Sequence, residues 1–168
     1  MRRITESRVC FFFSNLNKAG LQACLGTGTE NRVSNGAAGA VYTFTKVSRQ
    51  GLGEGWRDPS GLIWFNRATD TMNQYRASEH CSQMGGRLPT RAEFEQLGLY
   101  MGATRNARGE YVYGGFSPQV LRELSGHWFW SSSVYPGDAD YAYEFNGDYG
   151  VIYYAYRNDV DSVRCVAR

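Results

Sequence analysis

Few side chains in this sequence could carry out catalysis. The chain of 168 residues has two histidines, His80 and His127, and no serine, histidine and aspartate at the spacing of a nucleophilic triad. No pair of carboxylates stands out as a general acid and its partner. A histidine that directly precedes a tryptophan, as His127 does, is more often structural than a base. We therefore expect no catalytic residues and a protein that is not an enzyme.

Tyrosine is the residue type whose placement suggests binding. Seven of the 12 tyrosines fall between residues 135 and 156, mixed with Asp, Asn, Ser and Gly. Binding surfaces use tyrosine because it offers a rigid apolar face with a polar tip and loses little conformational entropy on contact. Sugars suit such a surface, since they present both C–H faces and hydroxyls. The candidate ligand-binding residues are Tyr135, Asp138, Asp140, Tyr141, Tyr143, Tyr149, Tyr153, Tyr154, Tyr156, Arg157, Asn158 and Asp159.

The segment from 149 to 156 carries tyrosines at both odd and even positions. In an extended strand, Tyr149 and Tyr153 would lie on one face, with Tyr154 and Tyr156 on the other. One hydrophobic core cannot cover both faces, so at least one is expected to be exposed, at an interface or in a ligand site. The alternative interpretation is that about half of these tyrosines simply pack the sheet.

The four cysteines are Cys10, Cys24, Cys81 and Cys165, and their spacing does not predict a zinc site. Cys10 and Cys24 flank a turn in a predicted hairpin, while Cys81 and Cys165 lie in a predicted helix and the last predicted strand. Pairs 10–24 and 81–165 are therefore the simplest disulfides. The alternative is four buried free thiols in a reducing compartment.

The sequence pattern predicts helices followed by an antiparallel sheet. One helix is predicted over 69–84, a second from a capping box of Thr90 and Glu93, and a third from Ser117-Pro118. From 128 onwards the apolar pattern has a period of two, with turns that favour antiparallel strands. The predicted fold class is therefore α+β, with two to three helices and an antiparallel sheet.

Residues 1–50 differ from the rest in composition. They are basic and rich in predicted strands, and a glycine-containing linker over 48–55 separates them from a domain spanning 55–168. The apolar run Val9–Phe13 is too short for a secretory signal, and no run approaches the ~20 residues of a transmembrane helix. Scattered basic residues do not favour nucleic-acid binding. We expect no membrane insertion. We expect the N-terminal region to connect to a stalk or to form a trimer.

Residues 55–168 resemble a known family. The helix ending at Cys81 and the following Gly85-Gly86-Arg87-Leu88-Pro89-Thr90 are similar to the first half of a C-type lectin-like domain. The blocks Trp128-Phe129-Trp130-Ser131-Ser132-Ser133 and Ser162-Val163-Arg164-Cys165-Val166 resemble the C-terminal domain of collagen-like (Lcl-type) bacterial adhesins. The variable proteins of diversity-generating retroelements share this design. Asp58-Pro59-Ser60-Gly61-Leu62-Ile63-Trp64 is similar to that family's opening motif, with Ser60 where Thr is usual.

The resemblance implies ligand recognition at a cell surface or fibre tip. It implies an extracellular adhesin, the C-terminal part of a longer protein, that forms a homotrimer and binds a glycan or surface protein of a target cell. It also implies a disulfide between Cys81 and Cys165, in agreement with the simplest pairing. Residues 152–161 look like the exposed recognition segment of the family.

No cofactor is expected, although calcium is one alternative. Calcium-dependent lectins use a triplet of carboxylate or amide residues around a proline, whereas Pro136 here stands between Tyr135 and Gly137. Calcium takes 6–8 oxygen ligands. A different acidic site could use the aspartates of the last third, but solvated loop acids are the favoured interpretation. These are Asp138, Asp140, Asp148, Asp159 and Asp161.

Two other functions compete with a glycan-binding adhesin. A variable protein of a diversity-generating retroelement would bind a protein rather than a sugar. An enzyme is suggested by Arg87-Leu88-Pro89-Thr90-Arg91-Ala92-Glu93-Phe94, which is similar to a signature of formylglycine-generating and sulfoxide-synthase enzymes. Those enzymes need a reactive cysteine pair or a histidine-based iron site, so we interpret the motif as an element of the fold.

Overall fold

The computed structural model describes residues 30–35, 40–112 and 115–168. The predicted hairpin that contains Cys10 and Cys24 lies outside these residues. The disulfide between those two cysteines therefore stays a prediction.

Distant parts of the chain meet in a five-stranded antiparallel sheet with the order β1-β2-β3-β4-β10. Its strands are Glu30–Asn35 (β1), Ala40–Arg49 (β2), Gly53–Arg57 (β3), Ile63–Arg67 (β4) and Arg164–Ala167 (β10). Strand β2 forms where β-branched and aromatic residues are dense. Strands on both sides of the predicted linker share this sheet, because β2 pairs directly with β3. The division into an N-terminal region of residues 1–50 and a domain of residues 55–168 stays a prediction.

One buried carboxylate holds the turn at residues 58–61, just before β4. The Asp58 carboxylate accepts hydrogen bonds from the backbone N–H groups of Ser60 (2.9 Å) and Leu62 (3.0 Å). It also accepts one from the indole N–H of Trp64, at 2.8 Å. Gly61 has a φ of +88°, which favours glycine because a Cβ is strained there. The turn therefore fixes where β4 begins.

In the described residues, two α-helices follow β4 in the sequence, before the chain returns to the five-stranded sheet as β10. Helix α1 spans Gln74–Gln83, and its N-cap Asn73 accepts a hydrogen bond from the Arg76 N–H. Helix α2 spans Arg91–Tyr100. The capping box predicted for α2 is confirmed, with Thr90 at the N-cap and Glu93 at the third helical position.

A second, three-stranded antiparallel sheet has the order β7-β8-β9, so β8 is central and β7 and β9 are at the edges. Its strands are Trp128–Val134 (β7), Tyr141–Asn146 (β8) and Val151–Tyr156 (β9). A small hairpin of Thr104–Arg105 (β5) and Tyr111–Val112 (β6) forms a third sheet. The period-two prediction from residue 128 onwards is thus confirmed for the strands.

Aromatic residues of α2 and both large sheets form the core. The ring of Phe94 stacks on Phe145 at 4.8 Å between centroids and lies 5.3 Å from Trp64. A second cluster under α1 contains the disulfide between Cys81 and Cys165, whose Cα atoms are 5.3 Å apart. The predicted 81–165 disulfide is present, and it connects α1 to β10.

The predicted α+β fold class is wrong. Strands make up 42% of the structure in three antiparallel sheets, with two α-helices in the part of the chain described, so this is a small, mainly β domain. The helix predicted from Ser117-Pro118 does not form, and Arg122–Leu124 is a single 3-10 turn. Leu121 just before it has a φ of +55°, which no α-helix contains. Leu121 and Leu124 are buried nonetheless, and tertiary packing rather than helix formation places them.

Candidate ligand-binding surface

The register of the three-stranded sheet divides its aromatic residues between two faces. Tyr141 lies opposite Tyr156, and Tyr143 lies opposite Tyr154, so these four side chains share one face. Glu144 lies opposite Tyr153 and therefore belongs to the other face. The first face, completed by the ring of Tyr135, is called the tyrosine face. It consists of Tyr135, Tyr141, Tyr143, Tyr154 and Tyr156.

The rings of the tyrosine face contact one another in a continuous network. Tyr135 stacks on Tyr154, with centroids 4.3 Å apart and planes at 17°. Edge contacts join Tyr135 to Tyr143 (5.7 Å), Tyr141 to Tyr154 (5.9 Å) and Tyr141 to Tyr156 (5.7 Å). Each such pair contributes about 0.5–1.5 kcal/mol beyond burial. The rings are therefore positioned before any ligand arrives, while Tyr154 and Tyr156 remain 51% and 40% exposed.

The loop between β7 and β8 places Tyr135 over the sheet. The Tyr135 N–H donates to the Tyr141 carbonyl at 2.8 Å, and the Asp138 N–H donates to the Tyr135 carbonyl at 3.3 Å. The Asp138 carboxylate accepts a hydrogen bond from the Asp140 N–H at 3.0 Å. Asp138 and Asp140 thus shape and flank the tyrosine face, and both are exposed.

Helix α2 supports the same face from the side. Arg91 lies with its guanidinium carbon 4.4 Å from the centroid of the Tyr143 ring, a cation–π contact. The Arg91 N–H donates to the Ser133 hydroxyl at 3.0 Å, and its Nε donates to Glu95 at 3.1 Å. Arg91 is not among the predicted site residues, because its contact with Tyr143 joins segments more than 50 residues apart.

Not all of the predicted site residues lie on the tyrosine face. Arg157 contacts α1, with its guanidinium carbon 4.1 Å from the Tyr75 ring and its Nε donating to Gln74 at 3.1 Å. It also reaches the β7–β8 loop, where its Nη1 donates to the Ala139 carbonyl at 3.1 Å. Asn158 is exposed in the turn after β9. Tyr149 and Tyr153 lie on the opposite face, where the charge of Asp159 acts on Glu144.

That opposite face contains a cavity of about 330 Å³, called the aromatic pocket. It is lined by Trp128, Glu144, Asn146, Tyr149, Val151, Tyr153 and Tyr154. Trp128 and Glu144 are not among the predicted site residues. Ala142, Glu144 and Asn146 alternate with aromatic residues along β8, a signal that could have placed Glu144 on this face, but its aromatic partner on β7 depends on long-range register.

Glu144, in the pocket wall, meets the carboxyl group of Asp161 behind it. Its side chain is 8% exposed, and it shares a hydrogen bond with Asp161. Burial raises the pKa of Glu144 to about 8, and the charges of Asp161 and Asp159 act in the same direction. Burial also raises the pKa of Asp161. The pair therefore shares a proton near neutral pH.

Within residues 30–35, 40–112 and 115–168, no group of three or more His, Cys, Asp or Glu side chains could hold a metal ion. Of the predicted alternative calcium ligands, Asp148 accepts a hydrogen bond from the Gly126 N–H at 2.7 Å.

No helix in the part of the chain that the structure describes is long and apolar enough to cross a membrane.

Comparison with known proteins gives no match. No protein-family model matches the sequence, and neither a curated protein nor a solved structure matches it. The resemblance to collagen-like adhesins and retroelement variable proteins therefore stays a prediction from sequence motifs. Inference about function rests on the geometry of the two faces.

Proposed function

We propose that this protein is a non-enzymatic binding protein that recognises a glycan through the tyrosine face. The observation that carries the proposal is the joined network of five tyrosine rings on one exposed sheet face. Sugar rings present C–H faces that pack on aromatic rings, and hydroxyls that bond to phenol and carboxylate oxygens. The exposed carboxylates of Asp138 and Asp140 at the β7–β8 loop supply such oxygens.

Preorganisation supports this proposal in energetic terms. Ordering a free side chain on binding costs about 0.5–1.5 kcal/mol. Tyr135 and Tyr154 are already stacked, and Tyr143 is already held by Arg91. The tyrosine face therefore loses less entropy on contact than separate flexible side chains would.

The wider setting is part of the same proposal. The motif resemblance supports an adhesin that is displayed outside the cell as the C-terminal part of a longer protein and forms a homotrimer. Its partner is then a glycan on a target cell.

A glycan array with matched tyrosine variants tests the proposal. We expect the native chain to bind a defined group of glycans, and the double variant Tyr154→Ala with Tyr156→Ala to lose at least about tenfold in affinity, since these are the two most exposed rings of the network. Tyr75→Ala is the control, because Tyr75 is 48% exposed on α1 and lies off the tyrosine face.

Circular dichroism on each variant shows that the fold is retained. Unchanged glycan binding by the folded double variant would contradict the assignment to the tyrosine face. Equal losses in the double variant and in Tyr75→Ala would contradict it as well.

A further inference from the structure

The aromatic pocket is a second candidate site, on the opposite side of the sheet from the tyrosine face. Its volume of about 330 Å³ suits a small molecule or a single functional group. Tyr153 lies on the face of this pocket, whereas the ring of Tyr154 stacks on Tyr135 in the tyrosine face, although Tyr154 also lines the pocket. Tyr156 lies on the tyrosine face and does not line the pocket, so variants at Tyr153 and Tyr156 test the two sites separately.

Three aromatic rings form the walls of the pocket. Trp128 and Tyr153 have centroids 5.5 Å apart and planes at 84°, so they stand as adjacent walls at nearly a right angle. Tyr149 comes from the turn between β8 and β9. The Asn146 side chain fixes that turn by accepting hydrogen bonds from the Asp148 N–H (2.9 Å) and the Tyr149 N–H (3.0 Å).

The pocket is also electronegative. Glu144 lines it and is buried, with Asp161 hydrogen-bonded to it and Asp159 near enough to act on it by charge. Because the Glu144–Asp161 pair shares a proton near neutral pH, it holds one negative charge rather than two, in a partly desolvated site where electrostatic interactions are strong. A positively charged ligand would be attracted to that charge and would favour loss of the shared proton, whereas a neutral sugar would not.

We propose that the aromatic pocket binds an organic cation, a quaternary ammonium group such as the head of choline. Aromatic faces carry negative charge density and attract a cation within about 6 Å of the ring centroid. The methyl groups of the ammonium pack on Trp128, Tyr149 and Tyr153, and its charge faces Glu144. Calcium suits the pocket poorly, because it takes 6–8 oxygen ligands and ring faces supply none.

Titration calorimetry on the full chain tests this proposal with a matched pair of probes. Choline and 3,3-dimethyl-1-butanol have the same shape, but only choline is charged. We expect saturable choline binding and about tenfold weaker binding of the neutral alcohol. Phosphocholine and free trimethyl-lysine are titrated in parallel, and the tighter of the two indicates whether the group comes from a lipid head or a protein side chain.

Variants on one strand separate this site from the tyrosine face. Tyr153→Leu and Glu144→Gln are each expected to weaken choline binding by about fivefold or more. Tyr149→Leu, in an exposed turn position, repeats the test with less risk to the fold. Tyr156→Leu is the control, because it makes the same change on β9 but on the opposite face.

Several results would overturn the proposal. They are an absence of choline binding, equal affinity for choline and the alcohol, or an equal loss in Tyr153→Leu and Tyr156→Leu. Glycan binding can fail while choline binding succeeds, so the outcome is independent of the function proposed above.

Discussion

Glu144 lies where a carboxyl group is hard to keep ionised. It is buried, and the nearest titratable groups that act on it are the carboxyls of Asp161 and Asp159. Such a residue is unfavourable for stability at neutral pH, because the folded chain must either hold a proton there or accept the repulsion. Strained or destabilising groups of this kind cluster at functional sites, which agrees with a place in a ligand pocket.

The raised pKa of Glu144 predicts a specific dependence of stability on pH. In the unfolded chain this carboxyl ionises near pH 4.5, whereas in the folded chain its pKa is about 8. The folded state therefore holds the proton more tightly, so this contribution to stability is complete below pH 4.5 and is lost as the pH rises to about 8. Above that pH it changes no further.

The Glu144→Gln variant removes this dependence and serves as the comparison. Urea unfolding across the same pH range is expected to show the native chain losing stability, by a few kcal/mol at most, relative to the variant. Parallel pH profiles for the two proteins would mean that Glu144 ionises normally in the folded state.

At the scale of elements, one covalent bond connects two distant parts of the fold. The disulfide joins Cys81 of α1 to Cys165 of β10, across 84 residues of sequence. Beside it, Arg164 is fully buried and donates hydrogen bonds to the Phe65 carbonyl and, at 3.1 Å, to the Glu123 carboxylate. The bond to Phe65 fixes β10 against β4, and the bond to Glu123 joins β10 to the 3-10 turn. Burial lowers the pKa of Arg164 to about 10.

The double variant Cys81→Ser with Cys165→Ser is expected to lower the free energy of unfolding by about 2–5 kcal/mol. The reason is that the bond restricts a long loop in the unfolded chain. Urea unfolding of the two proteins measures the loss, and Ser78→Ala on the exposed side of α1 is the control for a helix substitution. An unchanged unfolding midpoint in the cysteine variant would show that the bond does not form in solution.

Local signals predicted elements well, and long-range packing set the rest. The capping box of Thr90 and Glu93 and the period-two strands depend on neighbouring residues, so the sequence was enough to predict them. The helix expected after Ser117 failed, because Leu121 takes a left-handed conformation that only tertiary contacts impose. In the same way, the alternation within β9 separated its tyrosines between two faces, but Glu144 and Trp128 meet in one pocket only through sheet pairing.

At the scale of the molecule, the proposed homotrimer is open to a direct measurement. The chain has a mass of 18.9 kDa, so light scattering is expected to give about three times that value. Trimers are closed assemblies in which each copy buries the same two patches, and the mass should therefore persist on dilution until the interface dissociates. A stable monomer at high protein concentration would contradict the trimer.

The alternation of β9 has a consequence for how the protein can change over generations. Tyr153 and Tyr156 both lie on this strand, yet they belong to different surfaces. A codon substitution at one of them can retune one surface while leaving the other intact. The insertion or loss of a single codon within 151–156 would instead exchange the two sets of side chains in one event, so variants in this strand should arise by substitution and not by changes in length.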